Sequence, residues 1–354
     1  MGLRKPVLTE EEDKSAVAEQ TFLATVTAPA SFDWRSATGT YVGNFVTPVR
    51  DQGNCGSCWA FATTAALESQ VLIGNNTPGQ NSLNLSEQLL VSCAGAGNCS
   101  GGYINKAADY VRNMGLPVDT CFPYTATNNS CANACADWTN NSYRISGWHW
   151  VTTTSPTVDS LKNALVTYGP LVTTMDVYAD FFNYRSGIYS YVSGSYQGGH
   201  AILLVGYDDA GQYFIAKNSW GTGWGEAGYF RIAYSQLTNA VGFGEYTIAD
   251  EGYDGGGSPP SPPPPTTCTY SISPTSKSVS YFLNTGTVLV STQSNCSWTA
   301  VSNVSWIKVM AGSTGIGNGK VTYKVSSNST RTQRVGTLTI AGQTFTVTQA
   351  GRKK

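Results

Sequence analysis

The apolar positions of the chain fall into two regimes. Before about residue 170 the strong runs have helical character. From 171 onward they are short blocks bounded by glycine or polar turns. Thr9 heads an acidic stretch and predicts a short capped helix through Glu19. Cys58–Ile73 (CWAFATTAALESQVLI), rich in Ala and Leu, predicts a helix that ends at Gly74 as its C-terminal cap. Ser86 ahead of Glu87-Gln88-Leu89-Leu90 predicts an N-cap and a short helix. Asn105–Met114, closed by Gly115, and Val158–Tyr168, stopped by Gly169-Pro170, predict two more. Leu171–Val177, Ala201–Tyr207, Tyr213–Lys217, Tyr229–Ala233 and Tyr246–Ala249 read as strands. Helices first and strands later predict an α+β domain with a cleft between its halves.

Beyond this region the pattern changes again. Gly255–Pro265 (GGGSPPSPPPP) reads as a linker, flexible at its glycines and semi-rigid at its prolines. Thr337–Ile340, Ala341-Gly342 and Gln343–Thr348 give a hairpin signal, and Ser, Thr and Val dominate the surrounding segment. About seven short strands in so short a stretch predict a β-sandwich. The chain therefore divides into a tail or prosegment remnant at 1–28, a compact domain at 29–252, a linker at 253–266 and an all-β domain at 267–351.

Charge supports that division. The region before residue 255 carries all 22 acidic residues against 12 basic ones, a net −10, whereas the stretch from Thr267 onward carries nine Lys or Arg and no Asp or Glu. Apolar residues make up 41% and charged residues 12%, which excludes a disordered polyelectrolyte. The strongest apolar run, Ala201–Val205, is too short to span a bilayer, so a soluble chain with a sizeable core and no membrane partner is expected. Nine cysteines leave one over from an even set, which suggests a disulfide framework, an oxidising compartment and one free thiol. Met1–Glu19 has no apolar core of a signal peptide, so a secreted protein would have its leader outside this chain.

The most informative segment is Gln52-Gly53-Asn54-Cys55-Gly56-Ser57-Cys58-Trp59. Cys58 opens the Ala-rich helix, where free N–H groups and the helix dipole favour a thiolate. A thiolate is the nucleophile that acyl transfer needs. The C-x-x-C spacing of Cys55 and Cys58 leaves open a redox or metal pair, although no βαβ pattern surrounds it. Only His149 and His200 are available as the base. His149, in Trp148-His149-Trp150, reads as a packed or half-exposed side chain. His200 follows Gly198-Gly199 and opens a strand, from which a side chain can project into a cleft. Asn218 ends the neighbouring strand, where it can orient an imidazole without adding charge, with Trp220 as a cover. An Asn at a strand end is otherwise simply a turn residue.

On these residues the sequence resembles the papain-like cysteine peptidases from about Ala30 to Gly252. The matching segments are PASFDWR at 29–35, VTPVRDQGNCGSCWAF at 46–61, LSEQLLVSC at 85–93, CSGGY at 99–103, YRSGIY at 184–189, GHAILLVGY at 199–207 and KNSWGTGWGEAGYFRI at 217–232. The resemblance implies a two-lobed fold, a helical lobe plus a β-barrel-like lobe. It implies that Cys58 attacks as the thiolate of an ion pair with His200, and that His200 then protonates the leaving amine. Asn218 would orient His200, Trp220 would shield that bond, and the Gln52 side chain with the Cys58 N–H would form the oxyanion hole. Gly101 and Gly102 would hydrogen-bond an extended peptide. Tyr103, Ile104, Thr174, Gly198, Ala201 and Ile248 would line a pocket for an apolar residue two before the scissile bond. No cofactor or metal is implied. The family pattern pairs Cys55 with Cys99 and Cys93 with Cys131, which leaves Cys121 with Cys135 and Cys268 with Cys296. A zinc site from Cys93, Cys99, Cys131 and Cys135 is the competing reading. The chain departs from the family in two ways. It has no late cysteine pair in the peptidase domain, and residues 1–28 cannot form the usual long helical prodomain, so the chain is either a processed form or a branch with another propiece.

The segment from Thr267 to Gln349 resembles a BACON-type β-sandwich through ISPTSKSVSY at 272–281, NCSWTAVSNVSWIKV at 295–309 and GTLTIAGQTFTVTQAG at 336–351. The resemblance implies an accessory module for carbohydrate or mucin. The +9 charge suits anionic surface polymers or a merely solvated face. Trp298 and Trp306 read as core residues, with exposed stacking platforms as the alternative. Nucleic acid is disfavoured because no basic stripe is interleaved with aromatics. The sequence thus predicts a secreted, monomeric cysteine endopeptidase acting on protein or peptide substrates, with no large insertion to block either end of its cleft. The alternatives are a scaffold with a dead site, or an adhesion protein whose function lies in the C-terminal domain.

Overall fold

The computed structural model describes residues 1–254, 268–292 and 296–353; the Gly255–Pro265 linker lies outside them. The described residues form two compact units, one on each side of the linker.

In the first unit the acidic start of the chain folds as α1, Glu10–Leu23. Thr9 accepts a hydrogen bond from the Glu12 N–H and donates its own N–H to the Glu12 carboxylate, a reciprocal capping box. The helix runs four residues past Glu19 because it is a packed element rather than a free tail. Ala16 and Leu23 are fully buried, Asn163 donates to the Leu23 carbonyl, and Trp150 Nε1 donates to Glu12.

Helix α2, Cys58–Asn75, is the central element, and every residue from Cys58 to Leu72 is buried. It continues through Gly74, and the cap falls instead on Asn76, in the left-handed region at φ 50°. Asn tolerates that conformation. Gly74 serves packing, since a Cβ there would stand 3.2 Å from Tyr253. Helices α3 (Glu87–Cys93, capped by Ser86), α4 (Ile104–Asn113) and α5 (Val158–Tyr168, capped by Thr157) follow the sequence pattern closely.

The main sheet has the order Ile145–Thr152, Thr247–Tyr253, Leu171–Tyr178, Tyr196–Asp208, Tyr213–Lys217, Tyr229–Ala233, Ile188–Tyr189, and Ser31–Asp33 pairs with Tyr196–Asp208; Gly97–Asn98 and Gly101–Gly102 form a separate two-stranded sheet. α2 packs on the Tyr196–Asp208 and Thr247–Tyr253 strands. The α2 N-terminus therefore meets the sheet where His200 stands. Disulfides Cys55–Cys99, Cys93–Cys131 and Cys121–Cys135 tie the loops around α2 and α3, and Cys58 is free and buried. The four cysteines weighed as zinc ligands are all in these bridges, and among the described residues no three or more His, Cys, Asp or Glu side chains cluster as metal ligands.

The second unit is all-β, with a Cys268–Cys296 disulfide. One sheet has the order Ser271–Ser273, Asn284–Ser291, Gly319–Val325, Ile307–Ala311, and the other Ser276–Val279, Gln343–Gln349, Arg334–Ile340, Ser297–Ser302, Thr314–Ile316. Val288, Val321 and Tyr323 from the first share a core with Leu338, Phe345 and Val347 from the second. The Ala341-Gly342 turn, with φ 52° and 73°, joins the predicted hairpin. Trp298 is buried and donates to the Gly317 carbonyl. Trp306 is partly buried beneath the Arg334 guanidinium, 4.2 Å from the ring centre. Neither is an open stacking platform.

One buried group makes stability pH-dependent. Asp250 is 1% exposed and neither carboxylate oxygen has a hydrogen-bond partner. Burial pushes its carboxyl up from 3.8 to about 7. The folded chain thus holds this proton more tightly than the unfolded chain does. That contribution is complete below about pH 4 and is lost as pH rises through about 7. Asp250→Asn should therefore gain thermal stability over the parent chain between about pH 4 and about pH 8, by several degrees. A pH-independent difference in melting temperature would refute the assignment.

Candidate active site

Cys58 Sγ sits at the first turn of α2, fully buried. The N–H groups of Ala201, Gly2 and Trp59 point to the sulfur and favour its thiolate. Burial outweighs them and pushes the thiol above its ordinary value. Because Ala201 follows His200, the sulfur lies against the strand that carries the imidazole.

His200 is fixed from its other side. Its Nε2–H donates to Asn218 Oδ1 at 2.8 Å. The Ser219 N–H donates to the same oxygen at 2.8 Å, which determines the amide orientation. The proton is thus on Nε2, and Nδ1 keeps its lone pair. Nδ1 has no hydrogen-bond partner, so the structure brings Cys58 and His200 to one place without a thiol–imidazole bond. Burial pushes the imidazole down to about 4, against the bond to Asn218, which raises it. Burial thus favours the neutral form of both groups in this state. Trp220 stacks on His200, with ring centres 4.9 Å apart, and Phe182 stacks on Trp220 at 5.5 Å.

Gln52 is buried and its side chain is fixed at both ends of the amide. Its N–H donates to the Ser219 carbonyl, its Oε1 accepts from Ser219 Oγ at 2.7 Å, and its Nε2 donates to the Cys55 carbonyl at 2.8 Å. Nε2 retains a second N–H. Tyr124 Oη donates to the Gln52 carbonyl and meets Ser57 Oγ at 2.6 Å. Ser219 and Tyr124 were not picked out from the sequence. Ser219 lies inside the KNSWG run, where Asn218 and Trp220 drew the chemistry, and a lone tyrosine in a loop carries no local signal. Lys217, next to Asn218, is buried and bonds Thr47 Oγ1, which also bonds Glu68. His149 stands apart from this centre, against Glu251 and Tyr168.

The predicted peptide-binding glycines are already occupied, by the start of the chain itself. Gly102 N–H donates to the Gly2 carbonyl, Arg4 N–H donates to the Gly102 carbonyl, and Leu3 N–H donates to the Gly199 carbonyl. Leu3 pairs with Gly102 in parallel. The glycines are required by proximity. A Cβ on Gly101 would stand 2.8 Å from the Gly2 carbonyl oxygen, and one on Gly198 2.9 Å from the Met1 side chain. Gly2 stands at the Cys58 sulfur, and Lys5 ends outward in ion pairs with Asp176 and Glu245. Of the residues predicted to line the pocket, Gly198 meets this strand, and Tyr103 lies under Lys106 with Arg4 nearby. Ile104, Thr174, Ala201 and Ile248 are buried. Ile248 pairs with Val172, and it is Gly244 and Tyr246 that bond Thr174.

A free cysteine at a helix start, beside an imidazole oriented by an uncharged amide and a fixed glutamine, defines a cysteine-peptidase type of site on an α+β scaffold. Comparison with known proteins agrees. Residues 28–250 match the profile of the papain family of cysteine proteases, and the chain belongs to that family. Residues 297–350 match the BACON profile, a domain type to which a binding role is ascribed. The chain is 41% identical over 211 residues to a cathepsin L-like proteinase of Fasciola hepatica, covering 58% of this chain and 60% of that protein. It is 36% identical over 255 residues to cathepsin B-like CP3 of Giardia intestinalis, covering 70% and 82% respectively. Among solved structures it resembles digestive procathepsin L2 of Tenebrio molitor larval midgut, with a TM-score of 0.53 at 35% identity over 64% of this chain and 70% of that one. No described helix is long and apolar enough to cross a membrane.

Proposed function

We propose that the protein is a secreted, monomeric cysteine endopeptidase that cleaves protein or peptide substrates through Cys58, His200, Asn218 and Gln52. The observation that carries this reading is the His200 tautomer. Asn218 and Ser219 leave a lone pair on Nδ1, the atom needed to take the Cys58 proton. With the cleft open to water, burial no longer holds both groups neutral, and proton transfer gives the thiolate and imidazolium. The thiolate attacks the scissile carbonyl, and the second Nε2–H of Gln52 with the Cys58 N–H receives the oxyanion. His200 then passes its proton to the leaving amine, and water hydrolyses the thioester. With the cleft strand loosened by Leu3→Glu and Lys5→Glu, an epoxysuccinyl peptide should label Cys58 alone; labelling elsewhere, or none, would sink the reading.

Residues 1–28 act as the propiece in this reading. Gly2–Arg4 fills the glycine-lined half of the cleft, the half expected to take substrate residues that precede the scissile bond. A productive peptide has its N-terminal end outward there. This strand has its lower-numbered end at the sulfur and runs the opposite way. It therefore excludes substrate without presenting a cleavable carbonyl.

Leu3 packs on Gly199, where a Cβ would stand 3.2 Å away, next to the predicted apolar pocket. A fluorogenic panel should prefer Leu, Val or Phe over Arg two before the scissile bond, by about tenfold. Preference for Arg there would contradict it. The C-terminal unit is read as an accessory that binds carbohydrate or anionic surface polymers, with its nine basic residues and no acidic ones as support.

A further inference from the structure

We propose that Asp176 and Glu245 form a cation-accepting subsite of the substrate cleft, which takes a lysine or arginine side chain four residues before the scissile bond. The inference rests on the peptidase reading above and adds a second specificity element to it.

Lys5 Nζ lies 3.1 Å from Asp176 Oδ2 and 3.3 Å from Glu245 Oε2. The ammonium is delivered by a strand already hydrogen-bonded in the cleft, through Leu3 to Gly199 and Arg4 to Gly102. Asp176 is the cross-strand partner of Gly199, so its carboxylate stands one strand outward from the cleft wall. Glu245 comes from a different segment, between Gly244 and Tyr246, both of which bond Thr174. Two carboxylates from separate elements thus converge on one cation. Asp176 keeps a second acceptor, because its buried Oδ1 has no hydrogen-bond partner. A guanidinium, with several donors in a planar fork, can use both oxygens. Burial works against the Lys5 charge, yet its bond to Asp176 and the two acidic neighbours hold its pKa above the ordinary value. Tyr196 and Tyr246 lie close enough to feel the charges of Lys5 and Asp176.

The register follows from chain geometry. Residues two apart in an extended strand place their side chains on one side. Leu3 lies by the apolar pocket and Lys5 by the acidic pair. A substrate of opposite polarity keeps that alternation. With its apolar residue in the pocket, it presents the residue two places toward its own N-terminus to Asp176 and Glu245.

The test uses the full-length chain carrying Lys5→Glu, which sets a third carboxylate against the pair and loosens the strand. Quenched peptides differ only in the residue four before the scissile bond, as Lys, Arg, Ala or Glu. The expected kcat/KM for Lys and Arg is about five- to tenfold above Ala, with Glu below Ala. The ratio should shrink as salt rises from about 0.05 to about 0.5 M. Adding Asp176→Asn and Glu245→Gln should bring the four peptides within about twofold of one another. Equal cleavage of all four by the Lys5→Glu chain overturns the subsite, as does a basic preference that survives the double substitution. The first comparison leaves the pair intact, so it decides the matter even if the double variant fails to fold. Hydrolysis that persists in Cys58→Ala, or is absent for every peptide, overturns the peptidase reading instead.

Discussion

Replacing Cys58 with alanine should lower kcat/KM for peptide hydrolysis by at least about 10^4-fold. The residue supplies the only free sulfur among the described cysteines, and its methyl substitute leaves the backbone N–H at the helix start in place. Because Cys58 is fully buried and the replacement is small, folding should be kept. Far-ultraviolet circular dichroism checks that. What remains of the rate is the share that binding and the oxyanion donors supply without a nucleophile. Active-site titration of the parent chain and the variant on one peptide gives the comparison. Undiminished hydrolysis in the variant would remove the thioester mechanism altogether.

The second large effect concerns the strand in the cleft. Leu3→Glu together with Lys5→Glu takes away an apolar contact worth about 1.5–3 kcal/mol. It also reverses two partly exposed ion pairs worth about 0.2–1 kcal/mol each. The combined loss, about 3 kcal/mol, should raise the initial hydrolysis rate of the full-length chain about 100-fold. Helix α1 remains docked through its own contacts, so the change reports on the strand. A rate equal to that of the parent chain would mean that residues 2–5 do not limit access to the cleft.

Much of this architecture was legible because local signals and tertiary demands coincide. Val158–Tyr168 is bounded by a Thr157 cap and a Gly-Pro stop, and the structure uses both. The Cys58 helix was visible, but its end was misplaced by two residues. Gly74 reads as a cap by composition, while its actual duty is to make room for Tyr253, a residue about 180 positions away. No single-sequence pattern carries that contact. The Ile145–Thr152 strand was only hinted at by its aromatic triplet, because its burial alternates poorly and its partner is the distant Thr247–Tyr253 strand. The docking of residues 1–28 on the domain was hidden for a related reason. Four acidic residues in the first turn of α1 suggest solvent, yet Ala16 and Leu23 dock on the body of the protein.

The site divides along the same line. Cys58, His200 and Asn218 stand in runs whose order along the chain carries the chemistry. The groups that hold their neighbours, Ser219 on Gln52 and Tyr124 on Ser57, are ordinary polar residues whose meaning appears only when distant segments meet. Asp176 and Glu245 were equally silent, since one sits in a strand and the other in a turn, 69 positions apart.

The direction of the cleft strand carries one more consequence. A backwards-lying peptide cannot be cut by the very sulfur it covers, so the molecule does not release itself in place. On the propiece reading, maturation is expected to be done to one copy by another. A purified sample should then show a lag that shortens with protein concentration, and a trace of ripe enzyme should abolish it.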